Sequence, residues 1–286
     1  MANRRNFLKA TGLGIAAATL PNLAIAGSSK SQSSKSSFSF QLGVASYSLR
    51  EFSQEEALDM ILRCGVNRIT FKSMHLPLDS DKATIQKAVA LCKQKDITLD
   101  GGGVIYMKTK EEVDQAFEYA KTAGMEMIIG VPNHELLDYV EGKVKEYDIK
   151  LAIHNHGPGD LVYPSAESAY VLIKNRDKRM GLCIDIGHTK RIGRDPEQDV
   201  KDYFDRVFDV HIKDVTAADK DGKTCIIGRG VIDFPSFLNA VNKLGYKGTL
   251  ALEYEAEGKD PLPGMMESFG YVKGILAMMW GMGSKK

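Results

Sequence analysis

The sequence predicts an α/β protein with the (β/α)8 architecture of a TIM barrel, and three observations support this fold class. From residue 40 onward, strand-like and helix-like segments alternate and form eight successive pairs. The chain has 286 residues, 43% of them hydrophobic and 26% charged, so it can bury one barrel-sized core. Four of the later strand-like runs end in histidine, aspartate or glutamate, as strands do at the catalytic end of barrel enzymes.

An open, doubly wound parallel sheet is the alternative fold. It is disfavoured because no glycine-rich phosphate loop follows the first predicted strand. The polar strand ends are also spread over strands five to eight, whereas an open sheet collects them at one switch point. These two features favour the closed barrel.

Capping signals and apolar runs position the elements along the chain. Ser53 with Glu56, and Thr109 with Glu112, have capping-box spacing, and Pro196 suits a first helical turn. Short, nearly continuous apolar runs are typical of strands buried on both faces. The predicted strands are 41–47, 66–72, 97–101, 125–131, 149–156, 180–184, 207–214 and 248–255. The predicted helices are 53–64, 82–95, 109–123, 135–147, 165–174, a helix from 196, then 234–244 and 265–280, with an insert at 216–232.

The N-terminus has the features of an export signal. Arg4 and Arg5 are followed by a weakly apolar stretch, 12–26, that ends in the cleavage-type sequence Ala24-Ile25-Ala26. This order indicates a twin-arginine signal, cleaved after Ala26, that delivers the folded protein to the periplasm through the twin-arginine export machinery. An ordinary signal peptide or a membrane anchor is the alternative, but the run is short and rich in small residues for a span of about 20 residues.

These features divide the chain into three parts. Residues 1–26 are the predicted signal peptide, 27–39 a serine-rich flexible tether, and 40–286 the barrel domain. The formal net charge of +1 gives no indication of a nucleic-acid partner, so a small neutral ligand fits better. A homo-oligomer is compatible with the same composition.

The cysteines indicate neither a zinc ribbon nor a disulfide scaffold, because they are few and widely spaced. We expect buried free thiols. Since an exported protein meets an oxidising compartment, a disulfide between Cys64 and Cys92 is the alternative. The four cysteines are Cys64, Cys92, Cys183 and Cys225.

Four metal-competent residues lie at the ends of the last four predicted strands: His154, Asp185, His211 and Glu253. They are separated by about one strand-helix unit each, so they converge at one mouth of the barrel. Two imidazoles and two carboxylates form a donor set that accepts one divalent ion, either Mn, Co, Zn, Fe or Mg.

Strand alternation adds candidates nearer the mouth. His156, Lys213 and Glu255 each lie two residues beyond a candidate ligand and therefore point to the same side. His156 is a candidate for proton transfer and Lys213 for contact with an oxyanion, although Lys213 could instead pair with Asp214 or Asp185. His188 follows Gly187, whose freedom would let it swing over the same space.

The motifs at these strand ends together resemble the xylose isomerase-like TIM barrel superfamily. They are Ile153-His154-Asn155-His156-Gly157, Cys183-Ile184-Asp185-Ile186-Gly187-His188, Val210-His211-Ile212-Lys213-Asp214 and Leu252-Glu253-Tyr254-Glu255. The superfamily includes sugar phosphate isomerase/epimerases, ketose 3-epimerases, inosose dehydratases and endonuclease IV. The resemblance implies a glutamate, an aspartate, a histidine and a glutamate on one divalent metal, carried over to positions 154, 185, 211 and 253. Position 154 departs from it, with histidine in place of glutamate.

The resemblance implies a metal-dependent isomerase or epimerase acting on a keto sugar or related carbohydrate through an enediolate. His156, His188 or Glu253 would move the proton, and Lys213 would help to stabilise the enediolate oxygen. The alternatives are a lyase or dehydratase acting on a 3-keto glycoside or inosose-like substrate, and a sugar-binding barrel without catalysis. A nuclease of the endonuclease IV type is disfavoured, because a three-metal site needs more than the 6 histidines present.

Export is expected to depend on the arginine pair. Replacing Arg4 and Arg5 with lysine should leave an uncleaved precursor inside the cell, because the twin-arginine machinery recognises the arginines themselves. Cell fractionation would check this. Mature protein in the periplasm of the double variant would contradict the twin-arginine signal.

Overall fold

Eight parallel strands close into a barrel within residues 38–283, the part of the chain that this computed structural model describes. The predicted (β/α)8 fold is therefore confirmed. The predicted signal peptide, 1–26, lies outside the described residues, and so does the predicted tether, 27–39, apart from its last two residues.

The strands are named in chain order. They are β1 (Gln41–Ala45), β2 (Arg68–Phe71), β3 (Thr98–Met107), β4 (Met127–Pro132), β5 (Lys150–His154), β6 (Met180–Asp185), β7 (Val207–Ile212), β8 (Asp214–Val215), β9 (Thr224–Cys225) and β10 (Thr249–Leu252). Around the barrel the order is β1-β10-β7-β6-β5-β4-β3-β2, whereas β8 and β9 form a separate antiparallel pair. Neighbours along the chain are thus neighbours in the barrel, and β10 closes it against β1.

The helices pack outside the strands. They are α1 (Gln54–Arg63), α2 (Lys82–Gln94), α3 (Lys110–Ala123), α4 (Leu137–Tyr147), α5 (Ala166–Ile173), α6 (Ile186–Arg191), α7 (Pro196–Asp202), α8 (Phe234–Lys243) and α9 (Leu262–Gly283). The predicted capping boxes at Ser53 and Thr109 are both present, which explains where α1 and α3 begin. Within residues 38–283, no helix has both the length and the apolar character needed to cross a membrane.

Strand β3 is longer than its prediction, which ended at residue 101. The strand continues through three consecutive glycines, 101–103, which allow β3 to lie close to β4. A Cβ atom on Gly101 would approach the Met127 carbonyl oxygen to 2.6 Å, and one on Gly103 would approach the Ile129 oxygen to 2.2 Å. The strand therefore continues and carries Tyr106 to the mouth of the barrel.

A short helix, α6, follows β6 where the sequence suggested a flexible turn. Asp185 is its N-cap, and one carboxylate oxygen of Asp185 accepts the backbone N–H of His188 at 2.8 Å. The expectation that Gly187 lets His188 swing is wrong, because both residues lie inside this helix. His188 is instead fixed relative to Asp185.

The predicted seventh strand, 207–214, is also interrupted. β7 ends at Ile212, and Asp214 begins β8, which pairs with β9 in the predicted insert. The Asp214 carboxylate accepts backbone N–H groups from Gly228, Gly230 and Ile232 at 2.9, 3.0 and 3.2 Å. Asp214 therefore organises this loop and does not pair with Lys213.

All four cysteines are free thiols, as expected. Cys64, Cys92 and Cys183 are buried, whereas Cys225 is half-buried. Burial raises the pKa of the Cys64 and Cys92 thiols to about 11, so both stay protonated and unreactive. The alternative disulfide between Cys64 and Cys92 does not form.

A buried arginine joins the two strands that carry Asp185 and His211. Arg206 precedes β7 and is fully buried. Its guanidinium donates to four backbone carbonyls in the segment before β6, namely Lys174, Arg176, Asp177 and Met180, at 2.7–3.0 Å. Arg206 therefore fixes the entry of β6 against the start of β7.

Replacing Arg206 with methionine should lower the free energy of unfolding by about 3 kcal/mol or more, because several backbone carbonyls lose a charged donor. Arg229→Met is the matched control. Arg229 forms a solvent-exposed pair with Glu267, and its loss should cost less than about 1 kcal/mol. Equilibrium denaturant unfolding measures both values. Equal stabilities for the two variants would contradict a structural role for Arg206.

Candidate metal centre and active site

The carboxyl ends of β5, β6, β7 and β10 bring the four predicted ligands together. His154, Asp185, His211 and Glu253 are all buried, and one ligand atom from each lies within 4.8 Å of the others. The His154 Nε2 atom is 3.1 Å from His211 Nδ1 and 3.5 Å from Asp185 Oδ2, and His211 Nδ1 is 3.3 Å from Glu253 Oε2. The sequence therefore identified a real spatial cluster.

The spacing and chemistry of these atoms fit one divalent ion. Ligand atoms that each lie about 2.1 Å from a shared ion are roughly 3.0–3.4 Å apart, close to the distances in this cluster. Two imidazole nitrogens and two carboxylate oxygens also suit the borderline divalent metals. The donor set alone does not select one metal.

Burial and neighbouring charges set the protonation of the cluster. Burial lowers the pKa of His154 to about 3, so its imidazole is neutral at pH 7, as a metal ligand must be. Burial alone would raise the pKa of Asp185, but the charges of His188 and Lys213 hold it well below its usual range. Glu253 behaves in the same way, because Lys213 and His211 outweigh the effect of burial. Both carboxylates are therefore ionised.

The pKa of His211 shifts in the opposite direction to that of His154. Burial would lower its pKa, but the carboxylates of Glu253 and Asp209 raise it above the ordinary value. Its Nδ1 atom faces His154 and Glu253, and its Nε2 atom lies 3.6 Å from Asp209 Oδ2. A carboxylate behind a histidine in this way fixes the orientation of the ring and the nitrogen that faces a metal.

Lys213 lies against the same carboxylates. Its Nζ atom is 3.0 Å from Asp185 Oδ2 and 2.7 Å from Glu253 Oε2, and it also contacts Glu255 Oε1. Burial would lower the pKa of Lys213, but these three carboxylates raise it well above the usual value. Three carboxylates thus face one ammonium, so this group of side chains has an excess of negative charge. The predicted contact of Lys213 with a substrate oxygen stays a prediction.

His156 is held between a phenol and a carboxylate. Tyr106 Oη lies 2.9 Å from His156 Nε2, and the two rings stack with centroids 5.5 Å apart. On the other side, His156 Nδ1 lies 3.7 Å from Asp160 Oδ2. Burial lowers the pKa of His156, so its imidazole is neutral at pH 7 and can accept a proton.

The other predicted proton-transfer histidine, His188, lies beside the cluster. Its Nε2 atom is 3.9 Å from Asp185 Oδ2, and its ring centroid is 6.1 Å from that of His154 and 6.0 Å from that of His156. Burial lowers the pKa of His188 as well. The structure thus brings together every predicted site residue.

Several residues of the site were missed by sequence reasoning. Asp209 could have been found, because it precedes His211 by two residues on the same strand and so points to the same side. Tyr106 was hidden by the glycine run before it, and Asp160 lies in a loop whose path has no sequence rule. The remaining histidines have structural partners: His75 contacts the Leu49 carbonyl and His134 that of Val162.

Comparison with known proteins agrees with this architecture. A family model described as xylose isomerase-like TIM barrel matches residues 55–275. The rhizopine catabolism protein MocC of Rhizobium meliloti is 31% identical over 144 residues, which are 45% of this chain and 43% of that protein. Inosose dehydratase of Lacticaseibacillus casei is 26% identical over 136 residues, which are 42% of this chain and 45% of that protein. The chain thus spans less than half the length of these curated relatives.

A solved structure supports the fold over a longer range. The structure of L-ribulose 3-epimerase aligns with a TM-score of 0.69 over 86% of this chain and 97% of that chain, at 14% identity. At that identity the likeness shows the fold alone. Since the family model matches most of the chain and the barrel carries the cluster expected at its strand ends, the chain belongs to the xylose isomerase-like TIM barrel family.

Proposed function

We propose that this protein is a divalent-metal-dependent isomerase or epimerase that acts on a keto sugar or related carbohydrate through an enediolate. The observation that carries the proposal is the buried cluster of His154, Asp185, His211 and Glu253, with its excess of negative charge. A neutral imidazole, His156, lies next to that cluster at the open end of the barrel. An enzyme that removes a proton beside a carbonyl needs both a group that stabilises the charge on the oxygen and a base that takes the proton.

The four residues of the cluster would hold the ion. A bound divalent ion supplies Lewis-acid stabilisation of the negative charge that develops on the substrate oxygen when the neighbouring carbon loses its proton. Asp209 supports the arrangement by orienting His211 from behind.

His156 is the base that we favour for proton removal. Its Nε2 atom lies 2.9 Å from Tyr106 Oη, and Asp160 Oδ2 lies 3.7 Å from Nδ1, where its negative charge would stabilise the ring when the ring gains a proton. Asp160 is fixed in turn, because its other oxygen accepts the backbone N–H groups of Val162 and Tyr163 at 2.8 and 2.6 Å. His188 and Glu253 remain the other candidates for moving the proton.

A lyase or dehydratase is the second candidate, and two observations favour it. The resemblance implies that epimerases of the family use two metal-bound glutamates, one on each face of the substrate. Position 154 is a histidine here, so one of these two glutamates is missing. The curated relative from Lacticaseibacillus casei is an inosose dehydratase. In this reaction, the enediolate that forms when the substrate loses its proton would expel a β-substituent and would not be reprotonated. The substrate would then be an inosose-like ketone or a 3-keto glycoside.

Two further expectations from the sequence stay proposals. We place the enzyme in the periplasm because of the arginine pair near its N-terminus. We also regard a small carbohydrate, and no nucleic acid, as its partner, since the formal net charge is only +1. A barrel that binds sugar without turnover would differ from the proposed enzyme in having no measurable reaction when metal is bound.

Metal binding should depend on each of the four ligands. Replacing His154, Asp185, His211 or Glu253 with alanine, one at a time, should reduce manganese occupancy after dialysis by at least about tenfold, because each change removes one donor. Elemental analysis of the dialysed protein provides the measurement. His134→Gln is the matched control and should keep its metal, because His134 lies outside the cluster. Unchanged occupancy in the His154 variant would show that the ligand at this position was assigned wrongly.

The reaction class can be read from isotope exchange. Manganese-loaded enzyme should transfer deuterium from heavy water to the carbon beside the carbonyl in a panel of keto sugars and 3-keto glycosides. Exchange with an unchanged skeleton indicates isomerisation or epimerisation, whereas loss of water or of an aglycone indicates the lyase. NMR and mass spectrometry distinguish these products.

His156→Ala should slow this exchange by about 10²–10⁴-fold, since a positioned base contributes that much. His134→Gln is the control, because His134 contacts a backbone carbonyl away from the cluster. Full activity in the His156 variant would end its role as the base. Fully metallated protein that reacts with nothing in the panel would favour the sugar-binding barrel.

A further inference from the structure

The buried ammonium of Lys213 occupies the same carboxylate oxygens that a metal would use. We propose that Lys213 is an internal counter-ion that competes with the divalent ion and thereby sets the affinity of the centre for metal. This inference rests on the metal centre of the proposed function. It assigns Lys213 an effect on metal occupancy that is separate from any contact with substrate.

The competition follows from individual atoms. Asp185 Oδ2 and Glu253 Oε2 face the imidazole nitrogens of His154 and His211 at 3.5 and 3.3 Å, respectively. The same two oxygens lie 3.0 and 2.7 Å from Lys213 Nζ. A divalent ion held by these oxygens would therefore lie close to a positive charge that also depends on them.

Burial makes the competition strong. Only 1% of the Lys213 side chain is exposed, and Asp185 is not exposed at all. Water and salt screen charges much less in such a place than at the surface, so the ammonium and a dication repel each other more strongly. An exposed lysine at the same distance would have little effect.

The position of Lys213 is built into the fold. Its side chain passes over the backbone of Gly187 in α6, where an added Cβ atom would lie 2.2 Å from Lys213 Cγ and 2.6 Å from Cδ. Only glycine leaves room for the lysine there. The ammonium is therefore directed onto the carboxylates by packing, not by chance rotation of a flexible chain.

Lys72 provides a natural comparison on the neighbouring side of the mouth. Its Nζ atom lies 4.5 Å from the centre of the Tyr47 ring. Within residues 38–283 it forms no ion pair with Asp185 or Glu253. Lys72 carries the same charge as Lys213 and feels the charge of Glu253 at longer range, but it forms no direct contact with the ligand oxygens. It therefore tests whether a nearby positive charge alone is enough to change metal affinity.

Two opposite effects follow from removing the Lys213 charge. Without metal, Asp185, Glu253 and Glu255 lose the cation that holds them together, so the protein should be less stable. With metal, the carboxylates are free for the ion, so binding should be tighter. Metal should therefore stabilise the variant more than it stabilises the wild type.

The test uses manganese alone as the probe, with wild-type protein, Lys213→Met and the control Lys72→Met. Competition against a chelator should give a dissociation constant for Lys213→Met that is lower by about tenfold or more, while Lys72→Met should change by less than about threefold. The melting temperature of Lys213→Met should be lower without manganese and should rise further on adding it. Neither readout depends on a substrate.

A second variant covers the case in which Lys213→Met does not fold. Gly187→Ala keeps the charge but pushes the lysine stem away from the carboxylates, so it should also tighten manganese binding. If the folded variant binds manganese as the wild type does, or more weakly, the inference is overturned while the metal centre stands. If neither the wild type nor the variant binds manganese, the metal centre and the inference are both wrong.

Discussion

An unbalanced group of charges at the mouth of the barrel is the constraint on which the rest of the site depends. The buried carboxylates of Asp185 and Glu253 and the half-buried carboxylate of Glu255 surround the buried ammonium of Lys213. Burying a charge without compensation costs free energy, so this excess of negative charge favours the binding of a further cation. The carboxylates of Glu253 and Asp209 also raise the pKa of His211. In the proposed enzyme, a divalent ion would balance the excess negative charge.

Neighbouring residues of the barrel hold the charged side chains in place from behind. Asp185 begins α6 and accepts a backbone N–H of that helix, and Arg206 fixes the entry of the strand that carries it. Asp209 lies behind His211. Because each of these residues has a support of its own, the candidate ligands are held in place before any ion binds.

The fold and the convergence of the four candidate ligands could be predicted for the same physical reason. Strands buried on both faces leave a clear apolar pattern, and a polar residue such as His154 or Asp185 at the end of such a run has few places to go other than the mouth of the barrel. Residues whose positions depend on loops could not be predicted in this way. The path of β3 beyond its glycines and the loop that holds Asp160 depend on close backbone packing, which leaves no periodic signal.

Strand alternation predicted the side of the strand on which Lys213 lies, but not its partners. Alternation correctly put it on the side of His211, but its partners depend on Gly187, which the sequence suggested was a flexible joint. The structure gives that glycine another role, as the gap through which the lysine reaches the carboxylates. A residue that is small for reasons of space looks the same in sequence as one that is small for reasons of flexibility.

The central claim is that two imidazoles and two carboxylates from four barrel strands bind one divalent ion. Pulsed electron paramagnetic resonance on manganese-loaded protein that contains ¹⁵N-labelled histidine tests it most directly, because coupling between the ion and nitrogen counts the histidine ligands. Two coupled imidazole nitrogens are expected in the wild type, and one in each of the variants His154→Ala and His211→Ala. Manganese that binds tightly without nitrogen coupling, or coupling that neither variant changes, would contradict it.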